Sequence, residues 1–195
     1  MSELLIGTDD NVFRLGNDGN IQQEEGPPTV AFMTRVHEGF LVVTKEGALW
    51  RRTDGDAWQL LHERPIAEDI WAFAADPRVA GRLYLGVSPA LLYWSDDGGA
   101  SWKACEAIRR IPGYESWTFP PPPHIPHVRS VAPDPQVVGA VYIGVEEGRH
   151  LSQWGPGRDL GEPERGAILG RPHCDPRAPG WAAICHDGPR VLSQR

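Results

Sequence analysis

Ser95-Asp96-Asp97-Gly98-Gly99-Ala100-Ser101-Trp102 is the stretch that decides the fold. It follows the pattern serine, any, aspartate, any, glycine, any, serine or threonine, tryptophan at every fixed position. The chain on either side reads as strand. Val, Ile, Leu, Tyr and Trp come in short runs broken by Gly, Pro and Asp, and no segment sustains a helical period over several turns.

Working outward, the chain repeats itself. Asp76-Pro77-Arg78-Val79-Ala80-Gly81-Arg82-Leu83-Tyr84-Leu85-Gly86-Val87 matches Asp134-Pro135-Gln136-Val137-Val138-Gly139-Ala140-Val141-Tyr142-Ile143-Gly144-Val145. Each copy predicts a leading strand (Ile70 to Ala74, Val128 to Ala132), a turn at Asp-Pro and Gly, and a second strand. Two weaker copies precede them. Leu4 to Thr8 and Val12 to Arg14 read as second and third strands of a unit whose innermost strand is missing or supplied elsewhere. Val30 to Thr34, Phe40 to Thr44, Ala48 to Arg51 and Trp58 to Leu61 make the next unit, whose turn Thr53-Asp54-Gly55-Asp56-Ala57-Trp58 is a shortened version of the opening stretch.

Ser95 to Trp102 resembles the Asp-box, or BNR repeat, of sialidase-like β-propellers, and the resemblance spans roughly residues 1 to 148. It is similar to that of bacterial propellers described as glycosyl hydrolases or photosystem-assembly-factor-like proteins. The resemblance implies that Ser95, Asp97, Gly99, Ser101 and Trp102 form a structural hairpin turn between the third and fourth strands of a blade. Aspartate and serine would bond backbone N–H groups, glycine would supply positive φ, and tryptophan would plug the gap beneath. The expected fold is all-β, an incomplete propeller of roughly three to four four-stranded blades over 1–148 with an irregular tail over 149–195.

In the tail, Ser152-Gln153-Trp154-Gly155-Pro156-Gly157-Arg158-Asp159-Leu160 stands where another box is due, with tryptophan and aspartate in each other's places. Two of the three cysteines and frequent Gly and Pro fall in the same tail. Read one base downstream, the codons of Gln153 through Leu160 permit Ser, Gly, Asp, Arg, Gly, Glu, Thr, Trp, a complete box. Gly188 through Gln194 permit Gly, Arg, Gly, Phe or Tyr, Tyr, Arg, Ser, the strand that leads into the next. A frameshift near Gly148 that replaced the continuation of a longer propeller accounts for both; a genuine Gly/Pro-rich extension is the other reading.

A formal net charge of −7 argues against a nucleic-acid partner, which wants a concentrated basic face. The residues from Met1 to Asp9 carry no basic region followed by an apolar run, so no membrane span and a cytoplasmic location are expected. Cys105, Cys174 and Cys185 form an odd set without metal spacing, which predicts reduced thiols. Asp96 and Asp97 lack the oxygen set of a calcium site. No cofactor and no metal are expected.

The insertion from Ile111 to Arg129 is the candidate binding surface, since long loops on a rigid scaffold commonly carry function. Tyr114 and Trp117 offer flat apolar faces, and His124, His127 and Arg129 offer donors and charge. The competing reading is a stiff polyproline connector whose aromatics cover a sheet edge. His124 and His127 lack the further ligands a zinc site needs.

The sialidase resemblance implies three arginines gripping a substrate carboxylate, a Tyr nucleophile with a Glu partner, and an acid. Arg110-Ile111-Pro112 echoes an Arg-Ile-Pro motif, though in a different place from the family's, and Arg35 and Arg129 fall on or beside innermost strands. Tyr114-Glu115 is adjacent in sequence, which in an extended chain points the side chains apart. No catalytic residue is assigned. The expectation is a non-catalytic binding or assembly scaffold with an unknown protein or carbohydrate ligand, the alternative being a sialidase-like glycosyl hydrolase with an incomplete catalytic set. An unclosed array also exposes an edge through which copies can associate.

Overall fold

The computed structural model describes residues 4–110, 114–136, 138–146 and 167–169, with the side chains of 146 and 167–169 excepted. Among these residues fourteen strands form four antiparallel sheets. Sheet one holds β1 (Leu4–Gly7), β2 (Val12–Leu15) and β3 (Ile21–Gln23). Sheet two holds β4 (Val30–Val36), β5 (Gly39–Thr44), β6 (Leu49–Thr53) and β7 (Gln59–His62). Sheet three holds β8 (Asp69–Ala75), β9 (Leu83–Ser88), β10 (Leu91–Ser95) and β11 (Lys103–Ala104). Sheet four holds β12 (His127–Pro133), β13 (Val141–Glu146) and β14 (Ala167–Leu169). Within each sheet the strands pair in chain order, so neighbours in sequence are antiparallel neighbours in space.

Strand β5 explains how the sheets stack. All six of its residues are buried, and successive side chains point to opposite faces. Phe40 and Val42 join Leu5, Val12 and Trp58 in a core between sheets one and two. Leu41 and Val43 join Leu83, Leu85, Leu92, Val128 and Ile143 in a larger core that runs through sheets two, three and four. A sheet covered on both faces needs apolar residues at both phases of the alternation, which is why Phe-Leu-Val-Val runs unbroken.

The repeated Asp-Pro turn has one physical basis in both copies. Asp76 Oδ1 accepts the Arg78 and Val79 N–H groups at 2.9 and 3.3 Å, and Oδ2 accepts the Tyr84 hydroxyl at 3.4 Å. Asp134 accepts the Gln136 N–H at 2.7 Å and the Tyr142 hydroxyl at 2.7 Å. One carboxylate thus caps the turn and ties it to the second strand.

Close approach between sheets is set by small residues. A Cβ at Gly7 would lie 2.7 Å from Val30 Cγ1, and one at Gly86 2.6 Å from Val128 Cγ1. In both cases the glycine on a second strand lies under the first strand of the following sheet. Strand β1 therefore holds the second-strand position in sheet one, and no strand pairs with its inner edge among the described residues. Sheet one differs from the sequence reading in having an outer strand as well, Ile21–Gln23, too short and polar to declare itself. Most of the 149–195 tail lies outside the described residues, and within it the backbone of 167–169 pairs with β13.

Candidate functional site

The first strands of sheets two, three and four each carry a register break at the same place: between Val30 and Phe32, Ile70 and Ala72, and Val128 and Ser130. The extra residue is Ala31, Trp71 or Arg129. A bulge turns its side chain out of the ladder's alternation, and bulges commonly border functional sites. Here they let Trp71 meet residues of β12. The His127 ring stacks on the indole at 3.9 Å between centroids and 5° between planes. The Arg129 guanidinium lies 5.0 Å from the indole centroid, within cation–π range. Phe119 meets the other side of the cluster, edge-on to His127 at 4.8 Å. Trp71 also lines a cleft of about 360 Å³ bounded by Lys45, Gly47, Arg64, Ile66 and Glu68.

The five sequence-predicted binding residues divide among three jobs. Tyr114 and Trp117, 5.1 Å apart, pack against the larger core, and the Tyr114 hydroxyl donates to the Ala90 carbonyl at 3.2 Å. Residues Tyr114–Ser116 form a 3-10 turn rather than an extended segment. His124 closes the proline turn: its backbone carbonyl accepts from the Phe119 N–H at 3.2 Å and the Thr118 hydroxyl at 3.2 Å, and its Nδ1 sits 2.9 Å from the Phe119 carbonyl. Only His127 and Arg129 gather at Trp71. Trp71 and Phe119 were not singled out in the sequence; the Trp at a position where the other first strands have Ala31 and Arg129 is the signal available there.

The turn residues Ser95 to Trp102 are held together locally. Asp97 Oδ1 accepts the Ser95 hydroxyl at 2.7 Å and the Ser101 N–H at 2.9 Å, while Oδ2 accepts the Ser101 hydroxyl at 2.5 Å. Bonds from Ser101, then from Ser95, hold the Asp97 carboxyl well below the usual carboxylate range. The Gly99 N–H donates to Ser95 Oγ at 2.9 Å, and the Trp102 indole N–H donates to the Gly99 carbonyl at 3.1 Å.

The arginines read against the sialidase set do not converge. Arg35 pairs with Phe40 across the β4–β5 ladder, at the hairpin end of its strand, and donates to Asp54 at 3.1 Å. Arg129 sits at the bulge near the opposite end of β12. Arg110 is the last residue of the 3-10 turn Glu106–Arg110, and the Ile111-Pro112 that follows lies outside the described residues. A second, larger cleft of about 810 Å³ lies at the hairpin ends, lined in part by Arg35, Arg51, Arg78 and Arg82. Three of these are matched by carboxylates: Arg35 by Asp54, Arg51 by Glu38 at 3.6 Å, and Arg82 by Asp96 at 2.7 Å. Arg78 reaches the Gln136 carbonyl of sheet four.

A Tyr–Glu pair does exist, and it was not visible in the sequence. The Tyr93 hydroxyl donates to Glu68 Oε1 at 2.8 Å across 25 positions of chain. Burial, then the Glu68 carboxylate, pushes the Tyr93 phenol up to about 12, which is the opposite of what a nucleophilic phenolate needs. Among the described residues no group of three His, Cys, Asp or Glu side chains could hold a metal ion. Among them, too, no helix is long and apolar enough to cross a membrane. Cys105 is buried in the larger core and in no disulfide; Cys174 and Cys185 lie outside the described residues.

No protein-family model matches the chain, and no curated protein matches it. Among solved structures its fold is similar to that of an ancestral GH74 enzyme, with a TM-score of 0.52 and 18% identity, over 73% of this chain and 20% of that one. The chain thus spans about a fifth of that enzyme's length. The four hairpin-connected antiparallel sheets and this likeness define an all-β protein of propeller-like architecture in which the ring of sheets is incomplete.

Proposed function

We propose that this chain is a non-catalytic binding or assembly scaffold of the Asp-box propeller kind, and that it is the frameshifted product of a gene for a longer propeller. The observation that carries the first part is that the groups a sialidase-like enzyme would use are committed elsewhere. Arg35 and Arg129 sit at opposite ends of their strands, the Tyr114 hydroxyl is bonded to Ala90, and the Tyr93 phenol is held protonated beside Glu68. The contact surface is the Trp71 cleft with the Tyr114 to Arg129 segment, and its ligand is a protein or a carbohydrate.

Strand spacing supports the frameshift. Four residues separate β1 from β2, four separate β5 from β6, and two separate β9 from β10; twenty separate β13 from β14. The third strand of sheet four is taken from far out of step with the repeat. Sequencing the DNA through the codon of Gly148 tests this directly. A stop codon in the shifted frame before the codon of Gln194 overturns it.

The alternative is a glycosyl hydrolase, favoured by the likeness to a GH74 enzyme and by the two clefts. A panel of fluorogenic glycosides, sialosides included, separates the readings. The scaffold reading expects no turnover; turnover abolished by Arg129→Ala defeats it. The inner edge of β1, which no strand among the described residues pairs, also supports self-association, which size-exclusion chromatography over a range of concentrations would read.

A further inference from the structure

We infer that the shifted frame encodes a fifth sheet whose seat is the glycine of β13, Gly144. The inference rests on the frameshift reading above and extends it from one turn to a whole structural unit.

The chain's own repeats supply the ruler. Gly81 precedes Ser95 by fourteen positions, and Gly139 precedes the codon of Gln153, where the shifted frame permits the first serine of a box, by the same fourteen. Gly86 and Gly144 precede those two points by nine positions each. The turn permitted in the shifted frame therefore falls in register with sheet four as well as matching a motif.

Beyond it, the codons grow more restrictive. Whatever synonymous codons were used, those of Trp181 and Ala182 read one base on give only glycine, because TGG followed by GC spells GGG. That glycine stands thirteen positions before the serine permitted at Gln194, against fourteen in sheet three. After it the shifted codons permit leucine at Ala183, Tyr, Phe or Ser at Ile184, and only Val or Ala at Cys185. Gly-x-Leu-Tyr-Leu at Gly81 to Leu85 and Gly-x-Val-Tyr-Ile at Gly139 to Ile143 are the same pattern.

Eight positions before the forced glycine, His173, Cys174 and Asp175 permit only Ile or Thr, Val or Ala, and Ile or Thr. In this frame they are a polar trio; in the next, three consecutive residues of high strand propensity or small size. Phe73 to Ala75, the end of the first strand of sheet three, occupies the same positions relative to Gly81. First strand, turn glycine, second strand and the next box thus follow one another in the order of sheet three, with the same spacing from first strand to glycine and one position fewer from glycine to box.

The structure shows where such a sheet would sit. Gly7 and Gly86 are each covered by a valine from the first strand of the following sheet, and a Cβ at either would meet it within 2.7 Å. At the equivalent Gly144 the one group among the described residues that an added Cβ would meet is Ser130 of its own sheet, through a hydroxyl that can rotate away. The position is built for a following strand, in the register where Val30 and Val128 cover the glycines before them.

The test removes one base between the codons of Gly148 and Gln153 and compares glycine-to-alanine variants in the uncorrected and corrected proteins. Gly86→Ala is expected to lower the melting midpoint by about 5 °C in both. Gly144→Ala is expected to lower it by a similar amount in the corrected protein and by less than about 1 °C in the chain as it stands. Equal effects of Gly144→Ala in the two proteins overturn the seat while leaving the frame reading intact, whereas a stop codon in the shifted frame overturns both. Should the corrected protein not fold, the DNA decides: Tyr or Phe at the shifted Ile184 codon with Ser at that of Gln194 sustains the fifth sheet, and any other combination rejects it.

Discussion

Sheets two and three solve the same turn in different ways. In sheet three the turn at Ser95 to Trp102 is clamped by its own side chains: Asp97 and the Ser95 and Ser101 hydroxyls close it, and Trp102 bonds to Gly99 three residues back. In sheet two the shortened turn has no such clamp, and its tryptophan is held from outside. The Trp58 indole N–H donates to Glu24 Oε2 at 2.9 Å, and the same oxygen accepts from Arg52 at 3.0 Å. Arg52 in turn donates to the Asp56 carbonyl of the turn at 3.2 Å. Glu24 follows β3 of sheet one, so the second turn depends on the neighbouring sheet and the third does not. A repeat that loses its internal bonds can persist when a neighbour supplies them.

The largest expected effect is on the borrowed turn. Arg52 and Glu24 are both mostly buried, so Glu24→Ala leaves a guanidinium without its carboxylate and an indole N–H without its acceptor, and should cost about 3 kcal/mol in urea unfolding. A loss under about 0.5 kcal/mol would mean that water replaces Glu24 and that the two turns do not differ in kind. Next comes a pair of glycines. At Gly99, where φ is +94°, an added Cβ would lie 2.6 Å from Leu49 Cδ2, so Gly99→Ala should cost about 2 kcal/mol. Gly55 in the other turn has φ of +89° but open space, so Gly55→Ala should cost about 1 kcal/mol from the backbone alone. Equal costs would remove the packing distinction between the turns.

Smaller effects are expected with pH. The Asp97 carboxyl is lowered from 3.8 in the folded chain, so the stability it contributes is complete above that value and is lost as pH falls below it. Asp97→Asn should flatten the melting midpoint between about pH 4 and pH 2. An unchanged acid limb in the variant would show that Asp97 does not close the turn in solution. Tyr93 is raised from 10.0 to about 12, so stability should fall as pH rises through that interval, and Tyr93→Phe should reduce the fall. An identical alkaline limb in wild type and variant would break the assignment of Tyr93 to a buried pair with Glu68.

How far each feature could be read depended on the length of chain its contacts span. The bonds made by the side chains of Ser95, Asp97, Ser101 and Trp102 reach at most four residues, so the motif contained those. The Asp76–Tyr84 and Asp134–Tyr142 bonds span eight, within one repeat, and self-comparison found the repeat. Trp58 to Glu24 spans 34 positions between units, and nothing in the local pattern of either residue announces the other. The cluster around Trp71 was legible only in part for the same reason. His127 and Arg129 stood out as polar residues on a first strand, but their partner Trp71 belongs to the preceding sheet and reaches them only because a bulge turns it out of register.

The sequence by itself determined the strand grammar of this protein: hairpins at Asp-Pro and Gly, the repeated strand pair around them, and the Ser95 to Trp102 turn with its side-chain bonds. Those are local matters, governed by turn chemistry and by the twofold alternation of side chains. Only the tertiary structure decided which face of β5 feeds which core, which glycines lie beneath a neighbouring sheet, and that a tyrosine and a glutamate from separate segments meet. Such contacts depend on how one sheet lies on the next, and that is set by the packing of many side chains at once rather than by any stretch of the chain that can be read alone.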